Sequence, residues 1–424
     1  MSLPGNDILA AWGIAGLATA GVIARPFRLP EAIWAVMGAA ALVLFGLLPW
    51  TDALAGVRKG LDVYLFLAGM MLIAEVARQE GVFDWLAALA VEHAHGSPQR
   101  LFALVYAVGT AVTVLLSNDA TAVVLTPAVY AATRAAGAAP LPYLFVCAFI
   151  ANAASFVLPI SNPANLVVFG SRMPHLTAWL GQFGVPSVIS IVVTYAALRF
   201  MQRRALAQEK IARDVLRPPL GRGGRLTLYG IGAVAVALLG CSALDVQLGW
   251  PTFICGGMTT AIVLALNRQS PWPVIEGVSW SVLPLVAGLF VLVQMLDRTG
   301  VIAGLSGFLH DALAKSTADA VFAAGMLVGI ASNLANNLPV GLVVGSVVTA
   351  DQLPSQMNGA MLIGVDLGPN LSVTGSLATI LWLVVLRREG VEVGTWQFLR
   401  IGTLVMLPAL ILAISAVALL GNVR

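Results

Sequence analysis

The stretch NGAMLIGVDLGPNLSVTGSLATILWLVVL, residues 358–386, is apolar, long enough to cross a bilayer and interrupted in its middle. About 20 apolar residues in a helix span the hydrocarbon core of a membrane. The pairs Gly368-Pro369 and Gly375-Ser376 are helix breakers. We therefore predict one crossing helix with an unwound centre, with Asp366 just before the break.

A second region of the same kind covers residues 141–171 and is interrupted by the sequence PISNP at 159–163. Within it, Asn162 followed by proline is typical of an N-cap with proline at the first helical position. Ser376 stands at the equivalent place of residues 358–386. Each region is thus predicted to start a new half-helix inside the membrane.

Two other regions, 101–134 and 318–350, each consist of two apolar arms around a polar apex. The apices contain SND at 117–119 and NN at 336–337. The return arm of the second region, up to Ala350, has about 12 residues, or roughly 18 Å of helix, which is too short for a core of about 30 Å. We predict two re-entrant hairpins rather than four complete crossings.

Composition places most of the chain in lipid. Of its 424 residues, 59% are hydrophobic and 10% charged, with a formal net charge of +3. A soluble domain carries about a quarter charged residues, so a soluble domain is excluded, and we expect a lipid bilayer and no nucleic acid as partner. Besides the two interrupted regions, the chain contains eight uninterrupted apolar runs. The prediction is an all-α membrane protein with ten transmembrane helices and two re-entrant hairpins.

The chain repeats itself. LAG at 67–69 matches VAG at 286–288, and Gly81-Val82 matches Gly300-Val301, each followed by an amphipathic stretch, a hairpin, an interrupted helix and a final span. Five crossings per half is an odd count, so the second half must lie inverted relative to the first, as in many secondary carriers. We predict a first repeat at 1–200, a basic linker at 201–225 and a second repeat at 226–424, each repeat with one broken helix.

Positive charge orients this arrangement. The segment from 199 to 225 is rich in arginine and lysine, and cytoplasmic loops carry an excess of both residues. We therefore place the linker in the cytoplasm and both termini in the periplasm of a bacterial cell, with the chain as a multi-pass protein of the inner membrane.

The two apices and two breaks predict one buried binding site. Backbone N–H groups at half-helix starts carry partial positive charge and are tolerated at membrane depth where they meet a cavity or ligand. Two acidic residues lie in the same motifs, and acidic residues inside a membrane are functional candidates by default. The candidate substrate-binding residues are Ser117, Asn118, Asp119, Ser161, Asn162, Asn336, Asn337, Asp366 and Ser376. Of these, Asp119 and Asp366 are the candidates for proton coupling.

The chemistry of these motifs favours a neutral solute. Two carboxylates would repel an anion, and the four motifs contain no arginine or lysine to bind one. A hydroxyl-rich solute exchanged for protons fits better, because amides, hydroxyls and carboxylates can all hydrogen-bond to it. Glu75 and Arg78, three residues apart, are expected to form a local ion pair.

Other classes are less well supported. The four histidines form no metal-spaced cluster in the apolar runs, and the three cysteines lie far apart. We therefore predict no enzyme activity, no metal and no cofactor. A membrane enzyme and a channel are the alternatives from other classes, but paired interrupted helices favour an enclosed site over a continuous pore.

Several motifs resemble those of arsenite and antimonite efflux pumps of the ArsB type, within the ion-transporter superfamily. The matching motifs are SNDATA at 117–122, LTP at 125–127, FIANAAS at 149–155, NNLP at 336–339, IGVDLGPN at 363–370 and GSLATILW at 375–382.

The resemblance implies inverted repeats, re-entrant hairpins and elevator-like or rocking movement. It also implies proton-driven export of the neutral metalloid trihydroxide, and hence arsenic resistance. Some members of the family act with a cytoplasmic ATPase subunit, and this chain has no ATP-binding motif of its own. A sodium–proton antiporter or a silicic acid exporter of the same superfamily is the alternative.

Overall fold

The computed structural model describes residues 5–208, 211–212 and 218–420. Both termini and residues 209–210 and 213–217 of the basic linker therefore lie outside the described residues, and with them part of the predicted orientation. The described chain is helical and contains no β-strand. The predicted all-α class is confirmed.

Ten α-helices make up the first half. They are α1 Gly5–Ala24, α2 Glu31–Leu44, α3 Trp50–Lys59, α4 Leu61–Gln79, α5 Val82–Ala94, α6 Pro98–Leu115, α7 Thr126–Ala135, α8 Leu141–Ala153, α9 Pro163–Phe169 and α10 Leu176–Gln208. A π-helical turn, Ala120–Leu125, leads into α7.

The second half follows the same order. Its helices are α11 Arg222–Ala243, α12 Gly249–Asn267, α13 Trp272–Gly277, α14 Val282–Arg298, α15 Val301–Lys315, α16 Thr317–Ala335, α17 Asn337–Ala350, α18 Ser355–Leu367, α19 Leu377–Arg388 and α20 Thr395–Leu420.

Seven of the described helices are long and apolar enough to cross a membrane, namely α1, α6, α10, α11, α12, α16 and α20. Two bent pairs, α3 with α4 at 47° and α14 with α15 at 68°, raise this to nine. The prediction of ten differs because it counted α2 and the two interrupted helices, whose continuous segments are shorter. The first arm of each hairpin is itself long enough to cross, so re-entrance stays a prediction.

Both interrupted helices break where the sequence predicts. After α8, a short 3-10 turn at Pro159–Ser161 precedes α9, and the Asn162 side chain caps α9 by accepting a hydrogen bond from the Ala164 N–H at 3.0 Å. After α18, a second 3-10 turn precedes α19, where Ser376 Oγ accepts from the Thr379 N–H at 3.1 Å. Proline and these local caps together stabilise helix starts deep inside the protein.

The hairpin apices are capped too, with one difference from expectation. Ser117 Oγ accepts from the Ala120 N–H at 3.2 Å, and Asn118 Oδ1 accepts from the Asp119 N–H at 2.9 Å. From the sequence, either Asn118 or Asp119 could cap this arm, and the structure shows the bond from Asn118, because the Asp119 side chain makes no capping bond. At the second apex, Asn336 Oδ1 accepts from the Leu338 N–H at 3.2 Å.

The repeated glycines mark matching helix contacts between the halves. Helix α4 packs on α12, and α14 packs on α2. A Cβ atom at Gly69 of α4 would collide with the Thr252 backbone of α12, and one at Gly288 of α14 would lie 2.7 Å from the Ala35 carbonyl carbon of α2. Corresponding glycines thus let corresponding helix pairs approach closely. We call these four helices, α2, α4, α12 and α14, the frame. The inverted orientation of the halves remains a prediction.

Candidate functional site

The ends of both hairpins and both interrupted helices meet around one small cavity. Its volume is about 20 Å³, room for about one water molecule. The polar lining comes from Asn118 and Asp119 of the first hairpin, Asn162 of the first break and Asn337 of the second hairpin. The apolar lining consists of Leu67, Pro163, Val282, Val286, Leu338, Leu377 and Ala378. Elements far apart in sequence therefore converge, and two frame helices close the cavity.

A larger cavity of about 490 Å³ adjoins the small one and shares Asp119 and Pro163 with it. Its other walls include Glu75, Arg78 and Arg388. Glu75 and Arg78 form the expected ion pair, with Oε1 and Nη2 2.6 Å apart. In the predicted topology, which stays a prediction, these charged residues lie towards the cytoplasm.

Asp119 lies where the two cavities meet. Its side chain is partly buried, and within the described part of the chain no hydrogen bond to its carboxylate is found. The carboxylate is thus free to interact with whatever enters from the larger cavity.

Asp366 has different surroundings. It is fully buried and accepts two hydrogen bonds, from Ser155 Oγ at 2.8 Å and from Asn162 Nδ2 at 2.9 Å. It does not line the small cavity. The structure therefore connects Asp366 to the cavity through the amide of Asn162.

A second pair of bonds joins the two interrupted helices. Asn152 Nδ2 donates to Asn370 Oδ1 at 3.0 Å, and Asn370 Nδ2 donates to the Phe149 carbonyl at 2.9 Å. In the predicted repeat, Asn152 occupies the place in the first interrupted helix that Asp366 occupies in the second. Neither Asn370 nor Ser155 is recognisable from the sequence as a partner, because the contacts bridge the two halves.

Four other candidates lie near the cavity but do not line it. Ser161 Oγ donates to the Val114 carbonyl at 3.0 Å, and Ser376 hydrogen-bonds Thr379. Ser117 lines the larger cavity, and Asn336 lines a separate space of about 10 Å³. The structure thus brings Asn118, Asp119, Asn162 and Asn337 into the cavity itself, and uses the serines chiefly for local hydrogen bonds.

Residues 16–366 match the sequence profile of a family described as CitMHS, citrate transporter. The chain belongs to this citrate transporter family. Among its relatives, the arsenical pump membrane protein of Yersinia enterocolitica is 27% identical over 82% of this chain and 84% of its own length. An uncharacterised transporter of Mycobacterium tuberculosis is 27% identical over 91% of this chain and 92% of its own length.

The fold has a solved counterpart. The YdaH transporter of Alcanivorax borkumensis superposes with a TM-score of 0.59 over 98% of this chain and 97% of its own, at 15% identity. At that identity the likeness concerns the fold alone. The relatives confirm the resemblance to ArsB-type transporters, and this member of the citrate transporter family is a multi-pass membrane carrier of the ion-transporter type.

Proposed function

We propose that this carrier exports a trivalent metalloid hydroxide, arsenite or antimonite, in exchange for protons, and thereby confers arsenic resistance. One observation carries the proposal. The cavity where the four ends meet offers three side-chain amides and the Asp119 carboxylate, which has no partner among the described residues, and its described lining includes no lysine or arginine.

This lining argues against citrate as the solute, although the family bears that description. A tricarboxylate needs positive charge, and the helix starts at the site supply only partial charges. The Asp119 carboxylate would repel it, most strongly where water is excluded. A neutral trihydroxide meets no such repulsion. Its hydroxyl groups can donate to Asp119 from the larger cavity, and they would reach the amides once the small cavity widens beyond its present 20 Å³.

Proton exchange follows from the positions of the two acids. An ionised carboxylate inside a bilayer is costly, so Asp119 would take up a proton as the solute leaves and release it as the next solute binds. Asp366 would exchange a proton less directly. Protonation there changes the bonding to Asn162, whose side chain reaches the cavity. The other candidates, Ser117, Ser161, Asn336 and Ser376, would hold the helix starts that surround the solute.

Everted membrane vesicles test the proposal, because export then appears as uptake. We expect arsenite uptake that depends on an imposed pH gradient and is lost in Asp119→Asn. The matched control is Asp311→Asn, which neutralises an exposed carboxylate on α15 and should leave uptake unchanged. Gradient-dependent uptake at parental rates in Asp119→Asn would refute the proton role. Cells that express this chain alone will show whether an ATPase subunit is required.

A sodium ion is the second cargo to consider, because carboxylate and amide oxygens also suit a hard cation. In that case the same vesicles would show sodium-dependent proton movement and no arsenite uptake. Silicic acid, another neutral hydroxide, would give uptake of silicic acid with growth on arsenite unaffected by expression. Arsenite resistance together with arsenite uptake excludes both.

A further inference from the structure

A second cavity, away from the proposed transport site, combines two carboxylates from different elements. Its volume is about 40 Å³. Asp62 comes from the first turn of α4, while Asp245 and Gln247 come from the loop between α11 and α12. The opposite wall is formed by the end of the first interrupted helix, from Leu166 to Pro174. In the predicted topology all three elements lie at the periplasmic face.

A buried hydroxyl group in this cavity lacks a partner. Ser242, in the last turn of α11, lines the cavity and is 4% exposed. Its Oγ makes no hydrogen bond within the described residues. A buried polar group without a partner costs about 1–3 kcal/mol, so such a group in a cavity indicates a ligand that completes its bonding.

The cavity also carries uncompensated negative charge. Asp62 Oδ1 accepts a hydrogen bond from the Gly249 N–H at 2.8 Å, but no lysine or arginine within the described residues pairs with Asp62 or Asp245. His175 Nδ1 lies 3.9 Å from Asp245 Oδ1, and this ring carries positive charge only when it is protonated. A cation that binds both carboxylates would neutralise their charge.

We infer that this cavity binds a divalent cation of the calcium type. The available donors are all oxygens, namely Asp62, Asp245, Ser242 and the side-chain amide of Gln247. Two carboxylates balance two positive charges, and oxygen donors are those that Ca²⁺ prefers. Asp245 and Gln247 are exposed loop residues, and such adjustable ligands suit the irregular coordination of Ca²⁺ better than the strict octahedron of Mg²⁺. Waters complete the shell.

The consequence is a link between the frame and the transport site. Asp62 lies on the frame helix α4, and the α11–α12 loop leads into the frame helix α12. On the other side of the cavity, Leu166 lies on α9, the helix that Asn162 caps. A cation bound here would link these frame ligands to the end of the first interrupted helix.

Calorimetric titration of the purified full-length protein, stripped with EDTA, tests the inference with Ca²⁺ as the probe. We expect one site per chain, with a Kd on the order of 10⁻⁴ to 10⁻³ M, as in extracellular calcium modules. Asp245→Asn should weaken binding at least roughly tenfold, and Ser242→Ala should weaken it less. Asp311→Asn, which removes an exposed carboxylate elsewhere, is the matched control and should bind like the parent.

Asp245 is exposed, so its substitution should not disturb folding, whereas Asp62 also caps α12 and is a poorer test. Absence of Ca²⁺ binding by the parent, or undiminished binding by Asp245→Asn, would overturn the site. Equal affinity for Na⁺ or Mg²⁺ would overturn the assignment to calcium. The arsenite assay is independent, so its outcome does not decide this one.

Discussion

Asp119 and Asp366 are both intramembrane acids, one from each half, yet the protein surrounds them differently. Asp119 lies at a hairpin apex between two cavities, with no hydrogen bond to its carboxylate within the described residues. Asp366 precedes a helix break, is fully buried and accepts bonds from Ser155 and Asn162. Asp119 is therefore available to a solute, whereas Asp366 holds the elements around it in place.

The largest effect should come from Asp119→Ala. Groups that transfer protons contribute roughly 10²- to 10⁴-fold to rates, so pH-driven arsenite transport should fall by that factor. Because the carboxylate has no partner to lose, the melting temperature should stay near that of the parent. Vesicle transport and thermal unfolding of the same preparation measure both. A large drop in the melting temperature would show that Asp119, too, is structural.

Asp366→Ala should act on stability. It leaves the Asn162 amide without its acceptor, whereas the Ser155 hydroxyl can still donate to the Asn152 carbonyl at 2.7 Å. An unsatisfied buried donor costs about 1–3 kcal/mol, so we expect a loss of about 2 kcal/mol, read as a lower melting temperature and less protein in the membrane. Asp366→Asn retains one acceptor oxygen and should lose less. Parental stability of the alanine variant would contradict the positioning role.

A smaller effect on stability is expected from substitutions of Asn336 at the apex of the second hairpin. Asn336 has φ 68° and ψ 150°, a region that is essentially restricted to glycine, and its side chain caps α17. Asn336→Ala keeps the backbone strain and loses the cap, so it should lower the free energy of unfolding by about 2 kcal/mol. Asn336→Gly also loses the cap but relieves the strain, so it should lie within about 0.5 kcal/mol of the parent. Thermal unfolding of both variants tests this order, and the reverse order would contradict it.

The smallest effect is expected at the wall of the larger cavity. Glu75→Gln removes the ion pair with Arg78, whose side chain is 50% exposed, while that of Glu75 is 7% exposed. Because Arg78 stays in contact with water and the glutamine amide keeps an acceptor oxygen for it, the loss of stability should be about 1 kcal/mol or less. Stability and arsenite transport should therefore stay close to parental values. Loss of transport would instead show that this pair takes part in solute entry.

The sequence predicts the local features of this protein well. Helix breaks form at proline and glycine, and helix starts are capped at Asn162 and Ser376. Both features depend on residues that are adjacent in the chain, so they can be predicted from the sequence. The hydrogen-bond partners of Asp366 cannot be predicted in this way, because Ser155 and Asn162 lie 211 and 204 residues away in the chain. For the same reason the sequence could not separate Asn337, which lines the cavity, from Asn336, which does not.

The glycine contacts at Gly69 and Gly288 limit how this protein can deform. Where backbone touches backbone, no side chain lies between the helices to change rotamer, so neither α4 on α12 nor α14 on α2 can slide gradually without collision. Shape changes during a transport cycle must therefore occur where side chains separate the helices. Replacing Gly69 by a larger residue would spread α4 from α12 and shift the cavity wall at Leu67, whereas replacing Gly288 would spread α14 from α2 and shift the wall at Val282 and Val286.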